Sequence, residues 1–189
     1  MTDTAMGRIG RVVSVNLSER KTMRKQRYDR GTLVLDRGFA DDAHAGDWHR
    51  QVSLLAQESI DEMVAKGLEV GPGDFAENIT TQGVDVMTLP VGSIVNVGDE
   101  VVLEISQIGK VCHNKCAIYY QAGDCVMPRE GVFAVVRQAG DVAVGDSVEI
   151  VSLGDGTCER SPEESLAESE SVRAANECRK LEKAGSVDG

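Results

Sequence analysis

The residues with the greatest capacity for chemistry lie in the segment Lys110-Val111-Cys112-His113-Asn114-Lys115-Cys116. A thiol is a useful nucleophile only as thiolate, and neighbouring cations lower its pKa. Lys110, His113 and Lys115 all fall within three residues of Cys112, which follows a predicted strand in a loop able to expose it. The chemistry this arrangement supports is nucleophilic attack, or the carriage of a group on sulfur. Taken alone, the motif reads more simply as small buried core residues, the commonest role of free cysteine. A metal site is the other functional option, since Cys112, His113, Cys116 and Cys125 supply enough soft ligands for zinc. The spacing is poor for that purpose: C-H-x-x-C is followed by eight residues and a lone cysteine. Zinc therefore ranks below the nucleophile.

A second cluster is Asp42-Ala43-His44-Ala45-Gly46-Asp47-Trp48-His49-Arg50. Two His, two Asp and an Arg in nine residues could form an acid/base or anion-binding site. In a strand, Asp42 and His44 would point to one side. A polar loop closed by local hydrogen bonds is the simpler account of most of these residues. Arg50 stands apart as a candidate bidentate anchor for phosphate or carboxylate. A third patch is Phe75-Ala76-Glu77-Asn78-Ile79-Thr80, where Glu77 and Asn78 interrupt an apolar run. Its bland reading is a strand end or turn in which Asn tolerates unusual backbone angles.

The elements that must position these residues are mostly strands. Arg8 to Leu17, Thr32 to Leu35, Val84 to Leu89, Ile94 to Val97, Val101 to Gln107, Gly131 to Arg137 and Ser147 to Val151 are short, apolar and bounded by Gly, Asp or polar runs. In the second half they recur at the spacing of a closed sheet or barrel, with Gly98-Asp99, Gly140-Asp141 and Gly145-Asp146 as predicted turns. One helical face, Leu55, Ile60, Met63 and Val64, stops at Gly67. Arg37 to Arg50 is too polar for a core element, and Gly71-Pro72-Gly73-Asp74 is a loop. The expectation is a mainly β domain over residues 1–154, a closed or partly closed barrel with few short helices. The acidic Ser/Glu-rich tail, residues 155–189, opens with a helix start at Ser161-Pro162 but has a thin apolar face. It is read as a marginal helix or a disordered segment, so cutting after Gly154 should change stability little.

Bulk composition narrows the partners. A chain of 189 residues suits one domain, and 4% aromatic residues leave the core to aliphatic side chains. A net charge of −11 argues against nucleic acid but not against a small anion held by a few local cations. The opening residues, Met1 to Gly10, lack an apolar signal region, and no apolar run is long enough to span a bilayer. The five cysteines are then expected to be reduced thiols in the cytoplasm.

In this order the segments resemble the MOSC family, named for the C-terminal domain of molybdenum cofactor sulfurases. The resemblance spans about Arg8 to Val151. It rests on Val12-Val-Ser-Val-Asn16, Asp42-Ala-His44-Ala-Gly46, Arg50-Gln-Val-Ser-Leu-Leu55, Glu77-Asn78 after a Gly-Pro-Gly loop, Ile105-Ser-Gln107 leading to Cys112, Gly131-Val-Phe-Ala134 and Gly145-Asp146. Asp41 stands where the family commonly has Gly, and Val111 where Pro usually precedes the cysteine.

The resemblance implies a β-barrel and a cysteine that carries sulfane sulfur or ligates molybdenum. Cys112 matches that position by its distance from Ile105-Ser-Gln107. The expected activity is a sulfurtransferase-like carrier that takes sulfur as a persulfide on Cys112 and delivers it to molybdenum cofactor or another metal–sulfur centre. Asp42, His44 and Arg50 would line the receiving pocket, and Glu77 and Asn78 would shape its wall. A cysteine desulfurase would donate the sulfur, because no pyridoxal phosphate site is recognisable in the chain; molybdenum cofactor or a molybdoenzyme would accept it. The alternatives are a reductase that binds molybdenum cofactor through Cys112, and a non-catalytic zinc module in which Cys116 and Cys125 join Cys112.

Overall fold

The computed structural model describes residues 7, 9–21, 23–110, 118, 120, 123, 125–163 and 174. Seven strands close into a barrel. In spatial order they are β1 (Ile9–Leu17), β6 (Ile79–Gln82), β5 (Val52–Ala56), β9 (Val132–Gln138), β8 (Val101–Ile108), β7 (Ile94–Val97) and β11 (Ser147–Ser152), with β11 pairing back onto β1. The short β2 (Gln26–Tyr28) extends β1, and β3 (Arg30–Val34), β4 (Gly38–Phe39) and β10 (Gly140–Ala143) form a separate three-stranded sheet. All barrel pairs are antiparallel except β5 with β6. A parallel pair needs a crossover, and helix α1 (Gln57–Ala65) supplies it, burying Ile60 and Met63. A further short helix, α2 (Met127–Glu130), precedes β9.

Aliphatic side chains fill the barrel as the composition requires. Val12, Val15, Leu54, Ile79, Val95, Leu103, Ile105, Ala134 and Ile150 are all fully buried there. A second cluster lies outside the sheet, where Leu55, Ile60, Met63, Met127 and Phe133 meet under α1 and α2.

Three expectations are corrected. Val84 to Leu89 is not a strand: Val84 and Val86 are buried and alternate with Asp85, but the segment pairs with no strand of the closed barrel and packs as a loop. The real strand at this point is β6, five residues earlier. Gly140-Asp141 is not a turn but the start of β10, paired with Leu33 and Thr32. The chain also keeps packing beyond Gly154. Gly156 donates its N–H to Val91, Cys158 is buried beside Val91 and Val135, and the Ser161 hydroxyl donates to the Ser106 carbonyl.

That packing reverses the expected effect of truncation. Cutting after Gly154 should remove about 1 kcal/mol or more of stability through lost burial and hydrogen bonds. For a chain of this size each kcal/mol is roughly 2–4 °C in Tm. A thermal melt unchanged by the cut would show that residues 155–161 contribute nothing. The tail past Glu163 lies outside the described residues except for Ala174.

Candidate functional site

Strand β1 organises the site from below. Its Ser14 hydroxyl donates to Asn16 Oδ1 at 2.7 Å, and the Asn16 amide donates to Thr80 Oγ1 at 3.1 Å and to Glu77 Oε1 at 3.4 Å. Glu77 is fully buried, and its Oε1 also accepts from the Gly73 N–H at 2.6 Å and from Thr80 Oγ1 at 2.8 Å. Burial raises its pKa, against the pull of those hydrogen bonds. Asn78 is held on both sides: its Oδ1 accepts from the Ser53 N–H and hydroxyl, and its Nδ2 donates to the Asn16 carbonyl. The Glu-Asn step is thus a bracket that joins β1, β5 and β6.

The unusual backbone angle predicted for this turn sits two residues before Asn78. Ala76 has φ 63°, a left-handed conformation that costs an alanine about 1 kcal/mol or more. Ala76→Gly should therefore raise stability by up to about 1 kcal/mol. A chemical-denaturation midpoint that falls instead would mean that the Ala76 methyl group contributes more by packing than the strain costs.

Two glycines permit the close approaches that bring the other residues in. At Gly73, φ 89°, a Cβ would meet the Lys25 carbonyl at 2.5 Å, and the Lys25 N–H donates to Gly73 at 3.0 Å. This pairing pulls Lys25 out of an otherwise exposed basic stretch and buries it. At Gly38, φ 107°, a Cβ would meet the Gln51 carbonyl at 2.3 Å. Gln51 also accepts from the Val136 N–H through its side chain at 2.9 Å, which fixes the chain where it leaves Arg50 for β5. The Ile105-Ser106-Gln107 stretch docks the same loop: Ser106 donates its hydroxyl to the His49 carbonyl, and Gln107 Oε1 lies 2.9 Å from His49 Nε2. Burial lowers the pKa of His49, and the Arg50 charge adds to that, so this ring serves the loop rather than the pocket.

The result is a cavity of about 160 Å³ lined by Lys25, His44, Trp48, Arg50, Ser53, Ala76, Asn78, Lys110, Met127 and Phe133. Among the described residues its lining holds three cations and no carboxylate. The Arg50 guanidinium lies 4.8 Å from the Trp48 ring and 5.7 Å from the Phe133 ring, and Lys110 Nζ lies 5.9 Å from Phe133. Arg50 Nε is buried without a hydrogen-bond partner, and neither Arg50 nor Lys110 pairs with a described carboxylate. Weakly hydrated guanidinium on an aromatic face, with donors unspent, suits a planar or tetrahedral oxyanion.

Beneath this lining lies a buried ion pair. Lys25 Nζ is 2.5 Å from Asp42 Oδ2, with side-chain exposures of 1% and 2%. Asp42 Oδ2 also accepts from the Ser18 N–H at 2.9 Å, and Oδ1 from the His44 N–H at 2.9 Å. Burial disfavours the Asp42 carboxylate, but the contacts of His44 and Lys25 outweigh it and hold its pKa well below the usual range. Burial lowers the pKa of Lys25 more than Asp42 restores it. Asp42 and His44 therefore meet through a local turn in which the Asp side chain caps the backbone, not through strand alternation.

Of the residues singled out from the sequence, His44, Arg50 and Asn78 line the cavity, Asp42 supports it, and Glu77 lies one layer deeper. Cys125 is buried in the cluster that contains Met127 and Phe133. Cys112 and Cys116 lie outside the described residues. Sequence reasoning missed Lys25, which looks like one of several solvated cations between Arg20 and Arg30. Phe133 was quoted only as part of a motif.

No helix among the described residues is long and apolar enough to cross a membrane. Comparison with known proteins gives one consistent answer. A family model for the MOSC domain matches residues 41–149, more than half the chain. No curated protein sequence matches. The fold is similar to that of the YuaD protein from Bacillus subtilis, with a TM-score of 0.67, 17% identity, and coverage of 77% of this chain and 97% of that one. It is also similar to YiiM from Geobacillus stearothermophilus, with a TM-score of 0.60, 16% identity, and coverage of 95% and 92%. YiiM from Escherichia coli has a TM-score of 0.55 at 19% identity, with coverage of 83% and 76%. At these identities the likeness is one of fold alone, and the family rests on the matched segment, which contains Asp42, His44, Arg50, Glu77, Asn78 and Cys112. The chain belongs to the MOSC domain family.

Proposed function

We propose that this MOSC domain is a sulfur carrier that accepts sulfane sulfur on Cys112 and delivers it to an anionic acceptor seated in the cationic cavity. The observation that carries this reading is that neither Arg50 nor Lys110 pairs with a described carboxylate, in a chain of net charge −11. Lys110 lies two residues before Cys112, so chain connectivity keeps the two Cα atoms within about 7 Å. In the loading step the Cys112 thiolate attacks the outer sulfur of a donor persulfide, and the donor's thiolate leaves. Nearby cations stabilise the thiolate that attacks and the persulfide that forms. The donor of this reading is a cysteine desulfurase, and the acceptor is molybdenum cofactor, presented alone or in a molybdoenzyme.

The cavity fits the anionic end of such an acceptor. Its volume of about 160 Å³ is small beside the 300–1,000 Å³ of a typical whole-ligand pocket. It is suited to a phosphate group, with the rest of the molecule extending past Trp48. Arg50 and Lys110 would hold the phosphate, and His44 would add a third donor. The same pocket would serve a reductase in which Cys112 ligates molybdenum. That reading differs in one observable: metal and pterin would be retained on purification and lost in Cys112→Ser.

The pocket is tested with inorganic phosphate by calorimetry. Arg50→Lys keeps the charge but loses the planar fork, so affinity should fall roughly tenfold, the loss of one charge-assisted hydrogen bond of about 1.5 kcal/mol. Equal affinity in the two proteins would remove Arg50 from the binding role.

A further inference from the structure

We propose that Lys25 is a positioning residue that fixes the tautomer of His44, so that the ring presents an Nε2–H donor to the cavity. This rests on the reading of the cavity as an oxyanion site, and it adds a role for a residue that the sequence did not single out.

The argument is an account of who can donate to whom. A lysine ammonium is donor only. Lys25 Nζ lies 2.5 Å from Asp42 Oδ2 and 3.4 Å from His44 Nδ1. The same group that neutralises Asp42 therefore also faces Nδ1, which can meet it only with its lone pair. Asp42 Oδ1 lies 3.3 Å from Nδ1 and would favour the opposite tautomer. Asp42, however, already accepts three shorter hydrogen bonds: Oδ1 takes the His44 backbone N–H at 2.9 Å, and Oδ2 takes Lys25 and the Ser18 N–H. Lys25 has no comparable second acceptor among the described residues. The ring proton is thereby driven to Nε2, which has no partner among the described residues on a side chain that lines the cavity.

The consequence is chemical. The charged groups around the ring are Lys25, Asp42, Arg50 and Lys110, with Glu77 a layer behind. An Nδ1–H ring would aim a bare lone pair at a bound oxyanion beside two cations. An Nε2–H ring donates to it. The buried pair thus converts one histidine into a fixed third donor for an acceptor oxygen, alongside Arg50 and Lys110.

Nitrogen NMR of histidine-labelled protein reads the tautomer directly. The chain has three histidines, and His44 is assigned by its loss in His44→Gln. At a pH where the ring carries one proton, the folded full-length chain should show His44 as Nε2–H. Lys25→Met should shift it toward Nδ1–H. If that variant does not fold, Lys25→Met/Asp42→Asn removes both charges and should leave a mixture of the two tautomers in place of a single one. Adding inorganic phosphate to the unaltered protein should move the Nε2–H resonance. An Nδ1–H ring in the unaltered protein overturns the proposal, as does an Nε2–H ring indifferent to loss of Lys25. If the tautomer is as stated but phosphate does not move it, the oxyanion reading of the cavity fails while the tautomer assignment stands.

Discussion

Replacing Lys25 by Met should cost about 3–5 kcal/mol of stability at neutral pH, the largest loss expected from any single change at the site. The side chain removed is almost wholly buried, and its partner Asp42 has no solvent to turn to. Asp42 would keep two backbone donors, Ser18 and His44, which places the loss toward the lower end of the range. Against a total of about 5–15 kcal/mol for a natural domain, this is enough to unfold part of the population on modest warming. Changing both partners, Lys25→Met with Asp42→Asn, should restore much of the loss because no unpaired charge remains buried. Urea unfolding of the three proteins gives the comparison; equal midpoints for parent and Lys25→Met would mean that the pair adds nothing.

The pH dependence of that stability has a definite sign. The folded protein holds the Asp42 pKa below its ordinary value of 3.8. The contribution of the pair is therefore complete above that value and drains away as pH falls below it. Between pH 7 and pH 3 the parent should lose more stability than the double variant.

The barrel was legible because its strands are short, Val-rich and closed by Gly-Asp turns, as at Val95, Val97, Val101 and Leu103 around Gly98-Asp99. Where the reading failed, one physical signal had two causes. Val84 and Val86 alternate with Asp85 as strand residues do, yet they are buried loop residues, because alternation reports burial and not backbone pairing. Gly140-Asp141 has the composition of a turn, but β3 offers it a partner that lies more than a hundred residues away in sequence.

The site divides in the same manner. Arg50 stood out by its type and His44 through the family resemblance, and both line the cavity. Lys25 could not be found, since its burial depends on Gly73 approaching its carbonyl from a distant loop. The motif residues Ser14, Asn16, Ser106 and Gln107 do not line the cavity; they hold the segments around it. Sequence pattern alone does not separate those two roles.

The second large effect is all-or-none and falls on Cys112. A carrier needs one nucleophilic thiolate, so incubation with a cysteine desulfurase and cysteine should add one sulfur to the intact protein, read by mass spectrometry. Cys112→Ser should abolish the adduct. Cys116→Ser should only reduce it, and so should Cys125→Ser, whose thiol is buried among Ile118, Val126 and Met127. A zinc module behaves differently: it would bind about one zinc, and any of the three changes would release metal. The decisive comparison is therefore the desulfurase reaction of the parent chain beside Cys112→Ser. The account predicts one cyanide-labile sulfur per chain in the parent and none in Cys112→Ser; an adduct that survives the substitution would contradict it.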